Sequence, residues 1–344
     1  MNIIDDDSLL INKKSKTSSK FGCEPFKRSL NELFDKGIVM IDKDSGPTSH
    51  QTTDSLKKVL KIDKAGHSGT LDPKVTGVLV CGLGRATRLM EYMLKSNKEY
   101  VCLMYVHKPI SDSQLKDAIQ KFTGKIMQIP PIVSAVKRQE REREVYYIDL
   151  LDTQDNNQNV LMKIGCQHGT YMRKICSDMG EYLGVGAHMK ELRRSKAGPF
   201  TEDDSLISLD KLRNLLELYD ESTNDEKEVF EKELRKYILP MERALKDFKK
   251  VYVSDNAVNS ICHGADLAIP GVSRLEKDIV MGEEIAIMTL KGELIGMGVA
   301  FLNSKDVMKK KKGAFVKTNK VFMDIDTYPK TWDFKKKEDS NTNL

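Results

Sequence analysis

The hydrophobic positions of residues 37–200 alternate between short apolar runs and helical spacings. The runs predict strands at 37–41, 75–83, 100–106 and 160–166. Apolar residues three and four positions apart predict helices that begin at Thr48 or Ser49, near Ala86, after Asp112 and at Thr170. Residues 132–151 predict a long hairpin with a basic tip. Because these elements do not follow a simple strand–helix–strand order, the pattern favours an α+β fold.

The pattern changes after about residue 248. Short runs at 250–253, 284–288, 294–301 and 314–316 are separated by glycines, which is typical of a small β barrel or sandwich. We therefore expect an N-terminal extension at 1–30 that is partly disordered, a central domain at 31–249, a β domain at 250–328 and a tail at 329–344. Within the central domain, the strongly charged residues 218–236 predict an exposed helical insertion, whereas the lysine-rich tail predicts disorder.

Composition narrows the class of protein. The 344 residues are 40% hydrophobic and 31% charged, which is ordinary for a globular protein. A net charge of +5 permits a nucleic-acid partner without requiring one. The six cysteines form no C-x-x-C pair, so reduced, buried thiols are expected rather than a zinc site or disulfides. No leader pattern and no long apolar stretch is present, which indicates an intracellular protein with no membrane segment.

The segment AGHSGTLDP at 65–73 has the densest set of candidate functional residues. Gly66 and Gly69 allow a tight bend and close approach to a ligand. His67 can donate a hydrogen bond to a phosphate or a base. Asp72 precedes a proline, which favours an extended backbone and a rigidly presented carboxylate. The residues alone leave a simple Asx-type turn with a hydrogen-bonded histidine equally open.

Four ordered segments resemble the TruB-type pseudouridine synthases, and most closely their dyskerin branch, the catalytic subunit of H/ACA guide-RNA particles. They are GHSGTLDPKVTGVL at 66–79, IDKDSGPTSH at 41–50, KSNKEYVC at 95–102 and CQHGTYMRKICSDMGEYLGVGAHMKELRR at 166–194. The resemblance extends from about Gly37 to Trp332. It implies an α+β catalytic domain with a mixed, mainly antiparallel sheet, followed by a PUA domain, which is a small pseudo-β-barrel.

The resemblance also implies roles for four residues. Asp72 matches the essential aspartate that starts breakage of the uracil glycosidic bond. Tyr100 matches the tyrosine that stacks on the flipped base and is a candidate to take the proton from carbon five. Arg173 matches the arginine that pairs with the aspartate, and His67 matches a residue that helps to hold the target nucleotide. Attack at the sugar and a glycal intermediate both remain open, and no metal or cofactor is required.

The residue types suit this chemistry. A carboxylate that acts as a nucleophile or base at the sugar must be ionised. A neighbouring guanidinium favours that ionised form. Arg173 lies at the edge of an apolar helical stripe, about 100° from Met172 at 3.6 residues per turn, so it can reach the interior margin. Without the resemblance, a surface arginine on a helix and a half-buried packing tyrosine at position 100 are the simpler interpretations.

Candidate RNA contacts lie in the predicted hairpin and in the first motif. The basic residues of the hairpin are Lys137, Arg138, Arg141 and Arg143. The resemblance implies a thumb-like loop that clamps substrate RNA, although the interleaved glutamates leave a solvated mixed-charge turn open. In a strand, Arg141 and Arg143 would share one face and the glutamates the other. Lys43 is a further candidate, although Asp44 stands where the family usually has proline.

In the PUA-like part, the candidate RNA contacts are His263, Gly264 and Ala265. Lys309 to Lys312 form a basic run suited to phosphates, or a solvated loop. The resemblance implies as partners guide RNA, substrate RNA, two small protein subunits and a kink-turn-binding protein that binds through the guide RNA. An archaeal-like, cytoplasmic protein is expected, or a nucleolar one if it is eukaryotic. A stand-alone enzyme acting on the tRNA T-loop and a non-catalytic RNA-binding scaffold are the alternatives.

Overall fold

The chain folds into two compact units. The computed structural model describes residues 8–129 and 139–330. The terminal unit combines the residues up to Leu33 with those from Pro240 onward, and the central unit is Phe34–Leu239.

The elements are numbered in chain order. The strands are β1 (Leu9–Ile11), β2 (Gly37–Lys43), β3 (Ala65–His67), β4 (Thr76–Leu83), β5 (Lys98–Val106), β6 (Gly124–Gln128), β7 (Arg141–Gln154), β8 (Asn159–Cys166), β9 (Ala187–Ala197), β10 (Phe200–Thr201), β11 (Leu206–Ile207), β12 (Ile238–Pro240), β13 (Lys249–Val253), β14 (Leu267–Ala268), β15 (Val272–Glu276), β16 (Glu284–Thr289), β17 (Leu294–Ala300) and β18 (Ala314–Val321). The helices are α1 (Leu30–Lys36), α2 (Ser49–Leu60), α3 (Met90–Leu94), α4 (Asp112–Lys121), α5 (Met172–Tyr182), α6 (Leu209–Glu221), α7 (Asn224–Leu234), α8 (Asp255–Cys262) and α9 (Ser304–Val307).

One mixed sheet forms the body of the central unit. Its main path runs β11-β2-β4-β9-β5-β8-β7-β6. The β11–β2 and β4–β9 pairs are parallel, whereas the other pairs along this path are antiparallel. Helix α5 packs on this sheet through Met172, Ile175, Cys176 and Met179, in a core shared with β5 and β8. The α+β fold expected from the sequence is therefore confirmed.

Local sequence explains several element boundaries. Thr48 caps α2: its side chain accepts from the Gln51 backbone, and the Gln51 side chain accepts from the Thr48 backbone. Lys61 ends that helix in the left-handed region, at φ 53°. The predicted cap at Thr170 is wrong. Helix α5 begins at Met172, and the Thr170 hydroxyl instead donates to the Gln167 carbonyl oxygen at 2.8 Å.

Two other predicted segments differ from the structure. Residues 65–67 were expected to be loop. They form β3, which pairs antiparallel with β4. The helix expected near Ala86 is a 3₁₀ segment, Gly84–Leu89, followed by the five-residue α3. The charged insertion at 218–236 belongs to two successive helices, α6 and α7.

The predicted hairpin at 132–151 falls partly on residues 132–138, which lie outside the described residues. β7 pairs with β6 on one side and with β8 on the other, so Arg141 and Arg143 lie in a strand rather than at a tip. The apolar pattern does not predict a strand at residues 124–128 or its pairing with β7. Lys137 and Arg138 lie outside the described residues.

The terminal unit contains a second sheet, ordered β1-β15-β13-β16-β17-β18-β14. Only the β13–β16 pair is parallel among its described pairs. Strand β1 joins this sheet by pairing with β15, so Leu10 lies opposite Leu275. Residues 8–33 are thus part of a folded unit, whereas the sequence suggested a separate extension at 1–30. The pairing joins residues more than 260 positions apart, which a local pattern cannot reveal.

A buried ion pair stabilises the terminal unit. The two Nη atoms of Arg28 each donate to Glu242 at 2.8 Å, and the two side chains are 4% and 1% exposed. Glu242 also accepts from the Leu294 backbone at 3.0 Å. Breaking such a pair strands a buried charge.

We expect Arg28→Ala to lower the free energy of unfolding of the terminal unit by about 3–5 kcal/mol. Hydrogen exchange of the β13 and β16 amides, followed by mass spectrometry, measures this loss. Lys27→Ala is the matched control, because the Lys27–Glu24 pair is exposed and should contribute less than about 1 kcal/mol. Equal protection in the two variants would contradict the expectation.

Candidate active site

Asp72 lies in the loop between β3 and β4, and the loop is held on both sides of it. Before Asp72, the Leu71 backbone donates to Ser49 Oγ at 2.8 Å, and Leu71 itself is buried. After Asp72, the carbonyl oxygen of Pro73 accepts from the Gly46 backbone at 2.9 Å. Ser49 and Gly46 both belong to the segment at 41–50, so that segment positions the aspartate.

Lys43 belongs to the same support. Its ammonium donates to the carbonyl oxygens of Asp44, Pro73 and Val75 at 2.9, 3.0 and 2.9 Å, and the side chain is 1% exposed. All three N–H donors of a lysine are thereby used. Burial lowers the pKa of Lys43, and the charge of Arg194 acts in the same direction. The Lys43 ammonium is thus enclosed by backbone carbonyl oxygens, and the RNA contact predicted for Lys43 remains a prediction.

Arg173 reaches Asp72 from the first turn of α5. Its Nη2 lies 3.0 Å from Asp72 Oδ2, as the family resemblance implies for this pair. The helix start is fixed because Gln128 both donates to the Tyr171 carbonyl oxygen, at 3.2 Å, and accepts from the Tyr171 backbone, at 3.0 Å. The Arg173 and Asp72 side chains are 45% and 48% exposed. A pair this open contributes about 1 kcal/mol or less to stability.

Asp72, Arg173 and Tyr100 line one open cleft of about 460 Å³. Tyr100 is the third residue of β5, opposite Ile164 of β8 and Arg194 of β9. Burial raises the pKa of its hydroxyl, and the Arg194 guanidinium opposes that rise. The cleft therefore combines a carboxylate, a guanidinium and a protonated phenol in a space that can hold a nucleotide.

Two buried cations in the cleft wall were not predicted. Arg194 is 1% exposed, and its guanidinium donates to the carbonyl oxygens of Val78 and Gly69 at 2.7 and 3.2 Å. Lys98 donates to the carbonyl oxygens of Met93 and Ser96 at 3.1 and 2.6 Å. Burial, assisted by the charge of Arg194, lowers the pKa of Lys98 to about 7. Strand alternation alone could not show which of the adjacent arginines at 193 and 194 faces inward.

The two glycines nearest Arg194 have backbones that favour glycine. Gly69 has φ +134°, and Gly77 has φ +99°. A Cβ on Gly77 would lie 2.3 Å from the Arg194 carbonyl oxygen, so a side chain there would push β4 away from β9.

His67 lies in β3, beside the loop that carries Asp72, and is half-buried. Its Nδ1 accepts from the Gly69 backbone at 3.4 Å, and its ring meets that of His50 edge-on at 4.9 Å. Among the described residues, Nε2 is buried without a hydrogen-bond partner, and His67 is absent from the cleft lining. A different histidine, His168, lines the cleft. The nucleotide-holding role of His67 remains a prediction.

Arg141 and Arg143 follow the predicted alternation along β7. They are half-buried, whereas Glu142 and Glu144 are exposed on the other face. Arg143 donates to the Gly169 carbonyl oxygen at 3.2 Å, which ties β7 to the loop before α5. The RNA contacts predicted for the two arginines remain predictions.

In the terminal unit, His263, Gly264 and Ala265 form an exposed turn at the end of α8. Gly264 has φ +89°, a conformation that favours glycine. The Ala265 carbonyl oxygen accepts from Thr318 Oγ1 at 2.9 Å, which fixes the turn against β18. Lys309 to Lys312 are exposed as well.

The described residues contain no group of three or more histidine, cysteine, aspartate or glutamate side chains placed to hold a metal ion. In residues 8–129 and 139–330, no helix is long and apolar enough to cross a membrane.

Family models match nearly all of the chain. The TruB family pseudouridylate synthase N-terminal domain matches residues 57–172, and the tRNA pseudouridylate synthase B C-terminal domain matches 173–246. The PUA domain matches 249–322 and the DKCLD (NUC011) domain matches 1–53.

Relatives match over almost their whole length. A probable tRNA pseudouridine synthase B of Methanothermobacter thermautotrophicus is 47% identical over 320 residues, covering 93% of this chain and 96% of that protein. A relative of the same name from Methanocaldococcus jannaschii is 44% identical over 334 residues, covering 97% of each.

Solved structures show the same fold. A chain of a Cbf5–Nop10–Gar1 complex matches with a TM-score of 0.86 and 43% identity, covering 94% of this chain and 96% of that one. A chain of an H/ACA ribonucleoprotein bound to substrate RNA containing 2′-deoxyuridine matches with a TM-score of 0.86 and 41% identity, covering 94% and 97%. The fold and cleft define an RNA-modifying isomerase. The chain belongs to the TruB family of pseudouridine synthases, which confirms the resemblance found in the sequence.

The environment of His67 gives a pH-dependent prediction. Burial, then the neighbouring His50 and Arg194, lower the pKa of His67 to about 4. Between about pH 6.5 and 4 the unfolded chain binds this proton and the folded chain does not, so stability falls as pH falls through that window. We expect the nitrogen chemical shifts of the His67 ring to stay those of a neutral imidazole down to about pH 4.

Nuclear magnetic resonance of the protein labelled with ¹⁵N-histidine measures these shifts. His67→Gln assigns the signal, and His263 serves as an exposed reference in the same sample. A His67 titration midpoint near 6.5 would show that burial and the nearby cations do not act on the ring as described.

Proposed function

We propose that Asp72, Tyr100 and Arg173 carry out the isomerisation of uridine to pseudouridine in RNA. The target nucleotide leaves the helical stack, because the glycosidic bond and the ring face are otherwise inaccessible. Tyr100 forms the surface on which the flipped uracil stacks. Asp72 acts on the sugar, and Arg173 orients its carboxylate through the contact of 3.0 Å.

The reaction is balanced without any added reagent. The bond from the sugar to uracil N1 breaks, the detached uracil rotates, and a bond forms from the same sugar carbon to C5. C5 then loses its proton and N1 gains one, so no atom is added or removed. The open cleft at Asp72 leaves room for this rotation. Tyr100 is the candidate that takes the proton from C5 after its own hydroxyl proton has passed to N1, so the phenol is restored at the end of the reaction.

The single observation that carries the proposal is the Arg173–Asp72 contact of 3.0 Å inside the cleft. Because both side chains are about half exposed, this ion pair adds little to the free energy of unfolding. By contrast, the lysine, serine and glycine contacts around residues 71–75 hold the backbone of the aspartate rigidly. A fixed backbone that presents an open, paired carboxylate is the arrangement expected of a preorganised reactive group.

The chain also resembles proteins that work in an assembly. We propose that it is the catalytic subunit of an H/ACA guide-RNA ribonucleoprotein acting on ribosomal RNA, and possible tRNA substrates follow from the names of its relatives. Its partners would be guide RNA, substrate RNA, two small subunits such as the Nop10 and Gar1 of the similar complex, and a kink-turn-binding protein held through the guide RNA. The central unit is the catalytic domain and the terminal unit anchors RNA. Its archaeal relatives favour a cytoplasmic location.

We expect Asp72→Asn to abolish tritium release from RNA labelled at uridine C5, a loss of more than about 1,000-fold. RNA binding should persist, because no positive charge is removed.

Arg173→Lys keeps the charge but loses the planar fork of the guanidinium, so tritium release should fall by roughly 10–100-fold.

Asp63→Asn is the matched control, an exposed carboxylate outside the cleft in the same unit. Unchanged activity of Asp72→Asn would refute the catalytic role. No release from any RNA by the unsubstituted chain would favour a non-catalytic scaffold.

Guide dependence separates the two enzymatic alternatives. We expect the chain with guide RNA and its two small partner subunits to release tritium from a ribosomal-RNA oligonucleotide that pairs with the guide, and to release none when the guide is omitted. Release from a tRNA T-loop without any guide, together with no guided release, would instead identify a stand-alone tRNA enzyme.

A further inference from the structure

One carboxylate behind the cleft bonds to side chains of two other strands. Glu99 of β5 accepts from the Tyr147 hydroxyl of β7 at 2.5 Å through one oxygen. Its other oxygen accepts from the Ser195 hydroxyl of β9 at 2.6 Å. The residues on either side of Glu99, Lys98 and Tyr100, line the cleft. Because successive side chains of a strand point to opposite faces, Glu99 lies on the face away from the cleft.

A bulge in β9 lies at this carboxylate. Glu99 is opposite Lys196 of β9. The next residue of β5, Tyr100, is opposite Arg194, so Ser195 is the extra residue of β9. Residues directly opposite in an antiparallel pair share one face of the sheet. The bulge therefore places Arg194 on the cleft face beside Tyr100. In an unbroken register, Ser195 would be opposite Tyr100 and Arg194 would turn to the other face.

A second bulge lies in the same row of the sheet, in β7. Tyr146 is its extra residue, and Tyr147 is opposite Gly165 of β8. Gly165 is also opposite Glu99 of β5. A Cβ on Gly165 would lie 2.3 Å from Tyr147 Cε1, so this glycine leaves room for the tyrosine ring to cross β8 and reach Glu99. One carboxylate thus joins the two bulged strands.

The charge of the carboxylate strengthens both hydrogen bonds. Partial burial alone would raise the pKa of Glu99, but the hydrogen bonds from Ser195 and Tyr147 outweigh it, so the pKa lies below its usual value. Burial and the bond to Glu99 raise the pKa of the Tyr147 hydroxyl, which therefore stays protonated and donates. Hydrogen bonds to an ionised acceptor are stronger than those between neutral groups. Glu99 therefore holds Ser195 more firmly than a neutral acceptor would.

We propose that Glu99 is a positioning residue for Tyr100 and Arg194. Its carboxylate, bonded to Tyr147 and Ser195, fixes the bulge of β9 that places these two side chains together on the cleft face. The inference rests on the proposed function, in which Tyr100 supports the flipped uracil. Arg194 in turn donates to the carbonyl oxygens that hold the aspartate loop. A displacement of about 1 Å in such groups can lower a reaction rate by about 100-fold.

The test measures the single-turnover rate of tritium release from saturating RNA labelled at uridine C5, with guide RNA and the two small subunits present. We expect Glu99→Gln to lower the rate constant by at least about 10-fold, because an amide offers one acceptor oxygen to two hydroxyl donors. RNA affinity should change by less than about 3-fold, because no positive charge is removed. General unfolding would not give a loss in rate without a loss in binding.

Two further variants each remove one of the two hydroxyls. Ser195→Ala and Tyr147→Phe should each lower the rate constant, and they keep the test decisive if Glu99→Gln does not fold. Combined with Glu99→Gln, either one should lower the rate by no more than about a further 2-fold, because groups that act as a unit are not additive. Fully additive losses would overturn the proposal. All rates are compared at a temperature at which thermal unfolding shows each variant to be folded.

Glu191→Gln is the matched control, because it removes the same charge from an exposed carboxylate of β9. The control should keep the rate of the unsubstituted chain. A loss in Glu99→Gln no larger than that in Glu191→Gln would overturn the positioning role and leave the proposed function intact.

A second measurement does not depend on catalysis. In protein labelled with [ζ-¹³C]tyrosine, the Tyr100 resonance, assigned with Tyr100→Phe, should shift in Glu99→Gln and Ser195→Ala but not in Glu191→Gln. If the unsubstituted chain releases no tritium while Tyr100 responds in this way, the proposed function fails and the positioning of Tyr100 is supported. A Tyr100 resonance that stays in place in Glu99→Gln would overturn the positioning whatever the activity.

Discussion

A guanidinium removed from water needs hydrogen-bond acceptors in the protein, and Arg194 finds them in the backbone of the aspartate loop. Its contacts with the carbonyl oxygens of Gly69 and Val78 join β9 to both the loop and β4. Breaking them would leave an unpaired charge in the wall of the cleft, so the loop has one strongly preferred position. Burial is the largest cause that lowers the pKa values of Lys98, Lys43 and His67. The charge of Arg194 lowers them further.

Charges in the central unit thus fall into two groups with different exposure. Arg194, Lys43 and Lys98 are buried and bonded mainly to backbone carbonyl oxygens, so they fix the shape of the cleft. Asp72 and Arg173 are about half exposed and bonded to each other, so they remain accessible to a substrate. Rigid support beneath accessible side chains is the arrangement that the proposed rearrangement within one bound nucleotide requires.

The terminal unit shows how segments far apart in the chain can form one sheet. Strand β1 extends the second sheet through its pairing with β15, and Asp255 fixes the segment that follows. The buried Arg28–Glu242 pair then links the end of this segment to the first residues that return to the unit. The backbone at residues 12, 13 and 18 is thereby held on the surface of this unit.

The sequence by itself determined the fold class and the main strands and helices, because apolar periodicity carries that information locally. The pairing of Asp72 with Arg173 was implied only by the family resemblance of four ordered motifs. Only the tertiary structure decided that Lys43 is enclosed by backbone and that Arg194, rather than Arg193, is buried. It also decided that the N-terminal residues join the second sheet. These outcomes depend on contacts between residues tens to hundreds of positions apart, and neither periodicity nor residue type encodes which distant partner a side chain or strand will meet.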